Sequence, residues 1–223
     1  VWGKFLNAGQ TCVAPDHLYV HSSIKKAFME KLLYWIRHFY GVDPAASPDY
    51  PRIINERHFD RLLKLMGQGT ILCGGNFDRA SRFIAPTVID GITWNDPVMQ
   101  EEIFGPILPV LTFNNINEVI AQINAHSKPL ALYYFGKNNV EQVLEQTSSG
   151  GVCVNETVTQ LLNPEMPFGG VGGSGFGAYH GKYSFDTFSH YKPIMIKSTT
   201  VDLPMRYPPN LNKNLKMLKF VSK

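Results

Sequence analysis

The sequence is short of charge. Charged residues fill 17% of its 223 positions, against roughly a quarter in an average soluble protein. Hydrophobic residues reach 44% and aromatics 12%, a balance that argues against disorder and allows a buried core in one large domain, or in one domain plus an arm. Cysteine is scarce too. Cys12, Cys73 and Cys153 are odd in number, widely spaced and free of any C-x-x-C pair. That argues against a disulfide framework and fits a reducing, cytoplasmic compartment. The seven histidines are scattered without an H-E-x-x-H pattern, so no metal site is expected. No apolar run approaches the ~20 residues that span a bilayer, and no signal peptide opens the chain. The net charge of +3 is uneven: Arg206, Lys213, Lys216, Lys219 and Lys223 against Asp202 put +4 in residues 201–223, leaving −1 elsewhere. The body therefore lacks the basic footprint of a nucleic-acid-binding protein. The chain also opens without an initiator Met, and a natural N-terminal part is expected to precede it.

Strand and helix patterns alternate. His17–Val20 reads as a short strand. Ser23 is expected to cap a helix that ends at Gly41, with Ile24, Phe28, Leu32, Trp35 and Phe39 as its apolar stripe. A second helix opens at Asn55 and carries Phe59, Leu62, Leu63 and Met66; Ile71–Cys73 is a brief strand. Ile107–Phe113 is continuously apolar, as in a strand covered on both faces. A helix with Ile116, Val119, Ile120 and Ile123, a strand at Leu130–Phe135, a helix with Val140, Val143 and Leu144, and a strand at Gly151–Val154 follow. This β-α-β-α-β order implies an α/β fold with a parallel sheet. A Gly-rich loop, a short helix near His180–His190 and a strand at Pro193–Lys197 complete the reading.

Three segments carry candidate chemistry. In Asn7-Ala-Gly-Gln-Thr-Cys12-Val-Ala-Pro15, small residues make a tight turn in which backbone N–H groups can gather beside a thiol, activating it and binding an oxyanion. A buried structural thiol is the plain alternative. In Glu101-Glu102-Ile-Phe104-Gly-Pro106, a carboxylate before a buried strand can hold a sugar diol, with an aromatic over a flat ring; the alternative is the acidic first turn of a helix with Phe104 in the core. Pro167-Phe168-Gly-Gly-Val-Gly-Gly-Ser-Gly-Phe-Gly177 contains a formal G-x-G-x-x-G. No strand leads into it and no acid stands near position 195 to take a ribose, so a Rossmann phosphate loop is rejected. Phe176 breaks a G-x-S-x-G elbow. What remains is a shaped wall with Phe168 facing a cavity, or a structural Ω-type loop.

Together and in this order, Gly-Gln-Thr-Cys12, Glu101-Glu102-Ile-Phe-Gly-Pro106 and Pro167-Phe-Gly-Gly170 resemble the nucleophile, cofactor-ribose and substrate-funnel motifs of the aldehyde dehydrogenase superfamily. Lys128-Pro-Leu-Ala-Leu132, Ala178-Tyr-His-Gly-Lys182, Ser184-Phe-Asp-Thr-Phe-Ser-His190 and Arg206-Tyr-Pro-Pro209 are similar to its class 3 branch, the aromatic and fatty aldehyde dehydrogenases. The resemblance implies NAD(P)-dependent oxidation of an aldehyde through a Cys12 thiohemiacetal and thioester. It implies that Glu102 binds the nicotinamide ribose, that Phe104 packs near that ring and that His58 lies near the cofactor. Phe168 would line the aldehyde tunnel, and Asn155 would support the floor of the site. By the same resemblance, residues 1–190 are a catalytic domain and 191–223 an oligomerisation strand and basic arm, within a homodimer. The family's general-base Glu, its oxyanion Asn and its dinucleotide-binding domain all precede the nucleophile, so this chain alone is expected not to oxidise aldehydes. A CoA-acylating dehydrogenase and a non-catalytic relative that keeps the fold are the alternatives.

In the tail, Leu211, Leu215 and Leu218 share one face of a candidate helix with Lys213, Lys216 and Lys219 interleaved. Such a segment packs as a surface arm on its own subunit or a dimer mate, or approaches anionic lipid as an amphipathic anchor. The anchor predicts that vesicles rich in anionic lipid retain the full protein and lose it when the tail is deleted. Equal retention of both contradicts it.

Overall fold

The four-stranded sheet at the centre runs β1-β6-β5-β2. It combines β1 (Leu18–His21), β2 (Thr70–Cys73), β5 (Thr87–Asp90) and β6 (Ile107–Phe113). β6 lies parallel to β1 on one side and to β5 on the other, while β2 closes the edge antiparallel to β5. The computed structural model describes residues 1–202, 207, 208, 215 and 219, in two units, Val1–Phe188 and Ser189–Lys223. β6 is the central strand, and Ile107 to Leu111 are all buried, as its unbroken apolar run requires.

Two helices pack into this core. The single turn α1 (Trp2–Phe5) is followed by α2 (Lys25–Tyr40) and α3 (Glu56–Leu65). Asn55 caps α3, its Oδ1 accepting from His58 N at 2.8 Å, and Phe59 and Leu62 are fully buried. α2 departs from expectation twice. Its entry is a 3-10 turn over Ser22–Ile24 capped by the His21 ring rather than by Ser23, because the helical backbone begins two residues earlier than expected. Its buried face is Met29, Leu32, Ile36 and Tyr40. The expected stripe lies one face over, shares only Leu32 with it, and leaves Ile24, Phe28, Trp35 and Phe39 exposed. Both stripes satisfy helical spacing; Tyr40 meets Phe5 and Tyr50 edge-on, and that packing selects the second.

The strands β7 (Ala131–Tyr134) and β8 (Gly151–Val154) form at their expected places, joined by α5 (Val140–Gln146) and preceded by α4 (Ile116–Ala125). They do not extend the sheet of β6. They pair with each other, in parallel, as a separate two-stranded sheet, because β1 and β5 already occupy both edges of β6. Ile120, Leu132 and Val143 form a second small core there. The hairpin β3 (Phe77–Asp78) with β4 (Phe83–Ile84), like β5, lacks the length or alternation that would announce it in sequence. The helix α6 (Gly181–Thr187) falls where the short helix was expected. The strand expected at 193–197 does not form: the segment carries no regular structure, and Ile194, Met195 and Ile196 are exposed. A strand needs partners for its backbone groups, and among the described residues none pairs with this one. The tail helix falls mostly outside the described residues.

Two glycines fix how the loops over the sheet meet. A Cβ on Gly9, where φ is +74°, would stand 2.2 Å from Gly105 O, and one on Gly105 would stand 2.4 Å from Leu62. By contrast, the space around Gly151 is open. In the full-length protein Gly9→Ala is therefore expected to cost more than about 2 kcal/mol, from a left-handed backbone and a clash with main chain together. Gly151→Ala is expected to stay within about 0.5 kcal/mol of the parent. Urea unfolding measures both, and equal small effects would contradict the close approach.

Candidate active site

The segment that carries Cys12 is strained. Asn7, Ala8 and Gly9 are all left-handed, with φ of 51°, 52° and 74°, a conformation that costs a residue with a Cβ about 1–2 kcal/mol. The surroundings hold it. Ala8 is fully buried, and Asn7 Nδ2 donates to Gln10 O at 2.9 Å. The Gln10 side chain reaches across to another loop, with Nε2 donating to Arg52 O at 3.1 Å and Oε1 accepting from Ile54 N at 3.0 Å. The chain then turns outward, and the Cys12 thiol is exposed and unbridged. The other two thiols are half-buried and used locally: Cys73 donates weakly to Pro86 O and Cys153 donates to Gln160 Oε1 at 2.9 Å. Burial also pushes the Cys73 thiol pKa up. Of the two readings for Cys12, the buried structural thiol is the one that the structure does not show.

The acidic segment is tied directly to this turn. Glu101 and Glu102 follow a 3-10 turn at Pro97–Met99 and do not open a helix. Ile103, not Phe104, is the side chain sunk in the core. Its N–H donates to Asp16 Oδ1 at 2.9 Å, so the residue four places after Cys12 anchors the residue after Glu102. Phe104 is half-buried and left-handed, with φ of 51°. Its carbonyl accepts from His58 Nε2 at 2.7 Å. Arg61 donates from Nη1 to Glu102 O at 3.1 Å and from Nη2 to Ile103 O, and it pairs with Glu101 at 3.0 Å. Beside these residues lies an open hollow lined by Asn55, Arg57, His58, Asp60, Arg61 and Lys64.

The electrostatics of this junction are set by a buried base. Lys4, on α1, is 3% exposed. Burial lowers its pKa from 10.5 to about 8, with the Asp16 and Glu102 carboxylates offsetting part of that fall. Glu102 sits above the usual carboxylate range, chiefly through desolvation and then through Asp16, while Arg61 and Lys4 pull it down.

Phe168 and Asn155 belong to networks on the β7–β8 side. Phe168 pairs its backbone with Tyr179 in both directions, at 3.0 and 2.9 Å, and its ring meets Tyr179 edge-on and stacks on His180. The glycines beside it serve the loop's own close folding: a Cβ on Gly169 would meet Gly177 O, and one on Gly150 would meet Gly169 O. Asn155, left-handed at the end of β8, clips its amide onto Gly136, Oδ1 accepting from Gly136 N at 2.8 Å and Nδ2 donating to Gly136 O at 3.2 Å. Tyr133 joins this side to the nucleophile turn, donating to Val13 O at 2.8 Å. The structure thus knots Glu102, Phe104 and His58 to the base of the Cys12 turn, and reaches Phe168 and Asn155 only through intermediaries. Arg61, Asp16, Lys4 and Tyr133 are the participants that motif reading missed. The one local signal was Arg61 at i+3 from His58, on the same helix face.

Because folding lowers the Lys4 pKa from 10.5 to about 8, the native state bears the full cost of a buried ammonium below that range. It sheds the cost as pH climbs toward the unfolded value, where the unfolded chain is still protonated. Lys4→Met in the full-length protein is therefore expected to be stabilising at about pH 7, with a gain that shrinks by about pH 10. Urea midpoints at the two pH values check it; an unchanged gain contradicts the assignment.

The family model described as "Aldehyde dehydrogenase family" matches residues 1–194. The chain is 48% identical over 223 residues to aldehyde dehydrogenase family 3 member A2 of Mus musculus, an alignment covering 98% of this chain and 46% of that protein. It is 48% identical over 216 residues to the 4,4'-diaponeurosporen-aldehyde dehydrogenase of Staphylococcus aureus, covering 95% and 47%. The solved structure of the substrate-bound state of Staphylococcus aureus AldH superposes with a TM-score of 0.87 at 46% identity, across 100% of this chain and 49% of that one. The chain therefore spans about half the length of the relatives it matches. On the family model, the identities and the shared fold together, this chain belongs to the aldehyde dehydrogenase family.

Proposed function

We propose that the full-length protein oxidises an aldehyde to its carboxylic acid with NAD or NADP, using Cys12 as the covalent nucleophile. The observation that carries this reading is the junction of Gly9 with Gly105 and of Asp16 with Ile103. It sets an exposed thiol on one side and a carboxylate–aromatic pair on the other. The Cys12 sulfur adds to the aldehyde carbon, and after oxidation the acyl group remains on sulfur as a thioester. A bound nicotinamide dinucleotide supplies the two-electron acceptor for that oxidation. The residues present suit its ribose–nicotinamide end. Glu102 offers carboxylate oxygens to the ribose hydroxyls, the half-buried Phe104 offers a flat apolar face, and His58 stands beside them. Water then releases the acid, activated by a Glu that lies upstream in the family. Phe168, framed by Tyr179 and His180, gives the aldehyde an aromatic wall suited to medium or long aliphatic or aromatic substrates, and Asn155 braces the floor.

Residues 1–190 form the catalytic domain in this reading and 191–223 an oligomerisation arm of a homodimer. The exposed run Ile194–Ile196 supports the arm, as does the 46% identity to a Mus musculus enzyme named "Aldehyde dehydrogenase, dimeric NADP-preferring". Among the described residues no helix is long and apolar enough to cross a membrane. We keep peripheral lipid contact through the basic tail as a proposal, and unbridged cysteines support a cytoplasmic setting.

In the full-length protein Cys12→Ser is expected to lower NAD(P)H production roughly 10³-fold or more, and the 223-residue chain alone is expected to give none. Retained turnover in the variant would show that another group is the nucleophile.

A further inference from the structure

Phe104 raises a structural question that the chemistry does not answer. A bulky aromatic at φ +51° stands in a region that such residues rarely occupy unless neighbours fix them there, and Glu102 and Phe104 lie in an irregular segment between a 3-10 turn and β6. Neither a helix nor a sheet ladder supports their backbone. What does support it is one face of α3. Arg61 takes the carbonyls of Glu102 and Ile103 with its two terminal nitrogens and the Glu101 carboxylate from the side. His58, one turn earlier, takes the next carbonyl, Phe104 O, with Nε2 at 2.7 Å. Arg61 Nε donates to His58 Nδ1 at 3.4 Å. An imidazole that accepts at Nδ1 carries its proton on Nε2, which is the nitrogen facing Phe104 O. The guanidinium therefore also fixes the tautomer that His58 needs. Leu62, next to Arg61 on the helix, fills the space under Gly105. Four consecutive backbone positions, 102 to 105, are gripped by three side chains of one rigid helix.

Both ring nitrogens of His58 are engaged within the protein, so its influence on a ligand passes through Phe104. We propose that Arg61, acting with His58, is a positioning residue: the pair grips the carbonyls of residues 102–104 and so sets where the Glu102 carboxylate and the Phe104 ring stand to receive the nicotinamide riboside. This rests on the reading that Glu102 and Phe104 hold the dinucleotide. Arg61 is forked and planar, which allows it to take two neighbouring carbonyls at once; an ammonium is a single point of charge.

The test uses the full-length enzyme and its variants Arg61→Met, Arg61→Lys, His58→Leu and the Arg61→Met/His58→Leu double. The readouts are NAD and NADP dissociation constants, KM for nucleotide and for aldehyde, and the rate at which iodoacetamide alkylates Cys12. Arg61→Met is expected to weaken nucleotide binding about tenfold, equivalent to roughly 1.4 kcal/mol. Aldehyde KM should stay within about threefold, since the Phe168 wall does not pass through this loop's carbonyls, while Cys12 alkylation should shift in step with nucleotide affinity, because this segment meets the Cys12 turn at Gly9 and Asp16. The double variant should be little worse than the weaker single one, because both act on one segment. Arg61→Lys should restore the charge opposite Glu101 and leave most of the loss in place. The proposal is overturned if Arg61→Met and His58→Leu both bind nucleotide within about twofold of the parent, if their effects multiply independently, or if Arg61→Lys recovers fully. If Arg61→Met does not fold, His58→Leu, which removes a single bond to the loop, decides alone. A parent enzyme that binds neither nucleotide overturns the cofactor reading itself, and the grip proposal with it.

Discussion

Everything at the site depends on two glycines that touch. Gly9 approaches the Gly105 carbonyl so closely that a methyl group on Gly9 has no room, and a methyl group on Gly105 would press on the Leu62 side chain of α3. The Cys12 turn, the Glu102–Phe104 segment and α3 are thereby stacked in contact distance, the first two through main chain at Gly9 and Gly105 and the last through the Leu62 side chain. The hydrogen bond from Ile103 N to Asp16 Oδ1 fixes the same stack from the other end of the Cys12 turn. Two loops joined this way move together, which is the condition that the proposed thiol adduct and nicotinamide ring would need to keep register.

Asn7, Ala8, Phe104 and Asn155 are left-handed without being glycine, as are Arg82, Asn139, Val158 and His180, and each of the first four is held by its neighbours: Asn7 by its bond to Gln10 O, Ala8 by burial, Phe104 by His58, Asn155 by its two bonds to Gly136. Breaking a local rule at such places while the surroundings restore the loss is how a fold holds side chains away from their resting conformations. The buried Lys4 follows the same logic electrostatically. Its depressed pKa is a cost of folding, and its charge opposes the repulsion between Asp16 and Glu102.

Much of this was legible in the sequence, for physical reasons that particular residues illustrate. β6 announced itself because a strand buried on both faces has no polar interruption, and α3 because Asn55 caps it and Phe59 and Leu62 repeat at helical spacing. What stayed hidden was decided by tertiary packing. α2 offers two apolar stripes, and only the Tyr40–Tyr50–Phe5 cluster tells which one turns inward. β6, β7 and β8 follow a pattern that suits one sheet, yet the edges of β6 are taken by β1 and β5. Residues 193–197 have the composition of a strand and no pairing partner among the described residues. Arg61 and Asp16 were missed because a side chain that binds a distant backbone leaves no periodic trace, and Lys4 because its burial is decided by tertiary packing.

The central claim, that the Cys12 turn and the Glu102–Phe104 segment act as one body, is tested most directly by Gly105→Ala in the full-length protein. Nucleotide affinity and the alkylation rate of Cys12 should be measured on the same samples. A methyl group at Gly105 presses on Leu62 and shifts the contact with Gly9, so the account predicts that both quantities change together, each by about fivefold or more. Weakened nucleotide binding with an unaltered Cys12 alkylation rate would show that the two loops are independent and would contradict it.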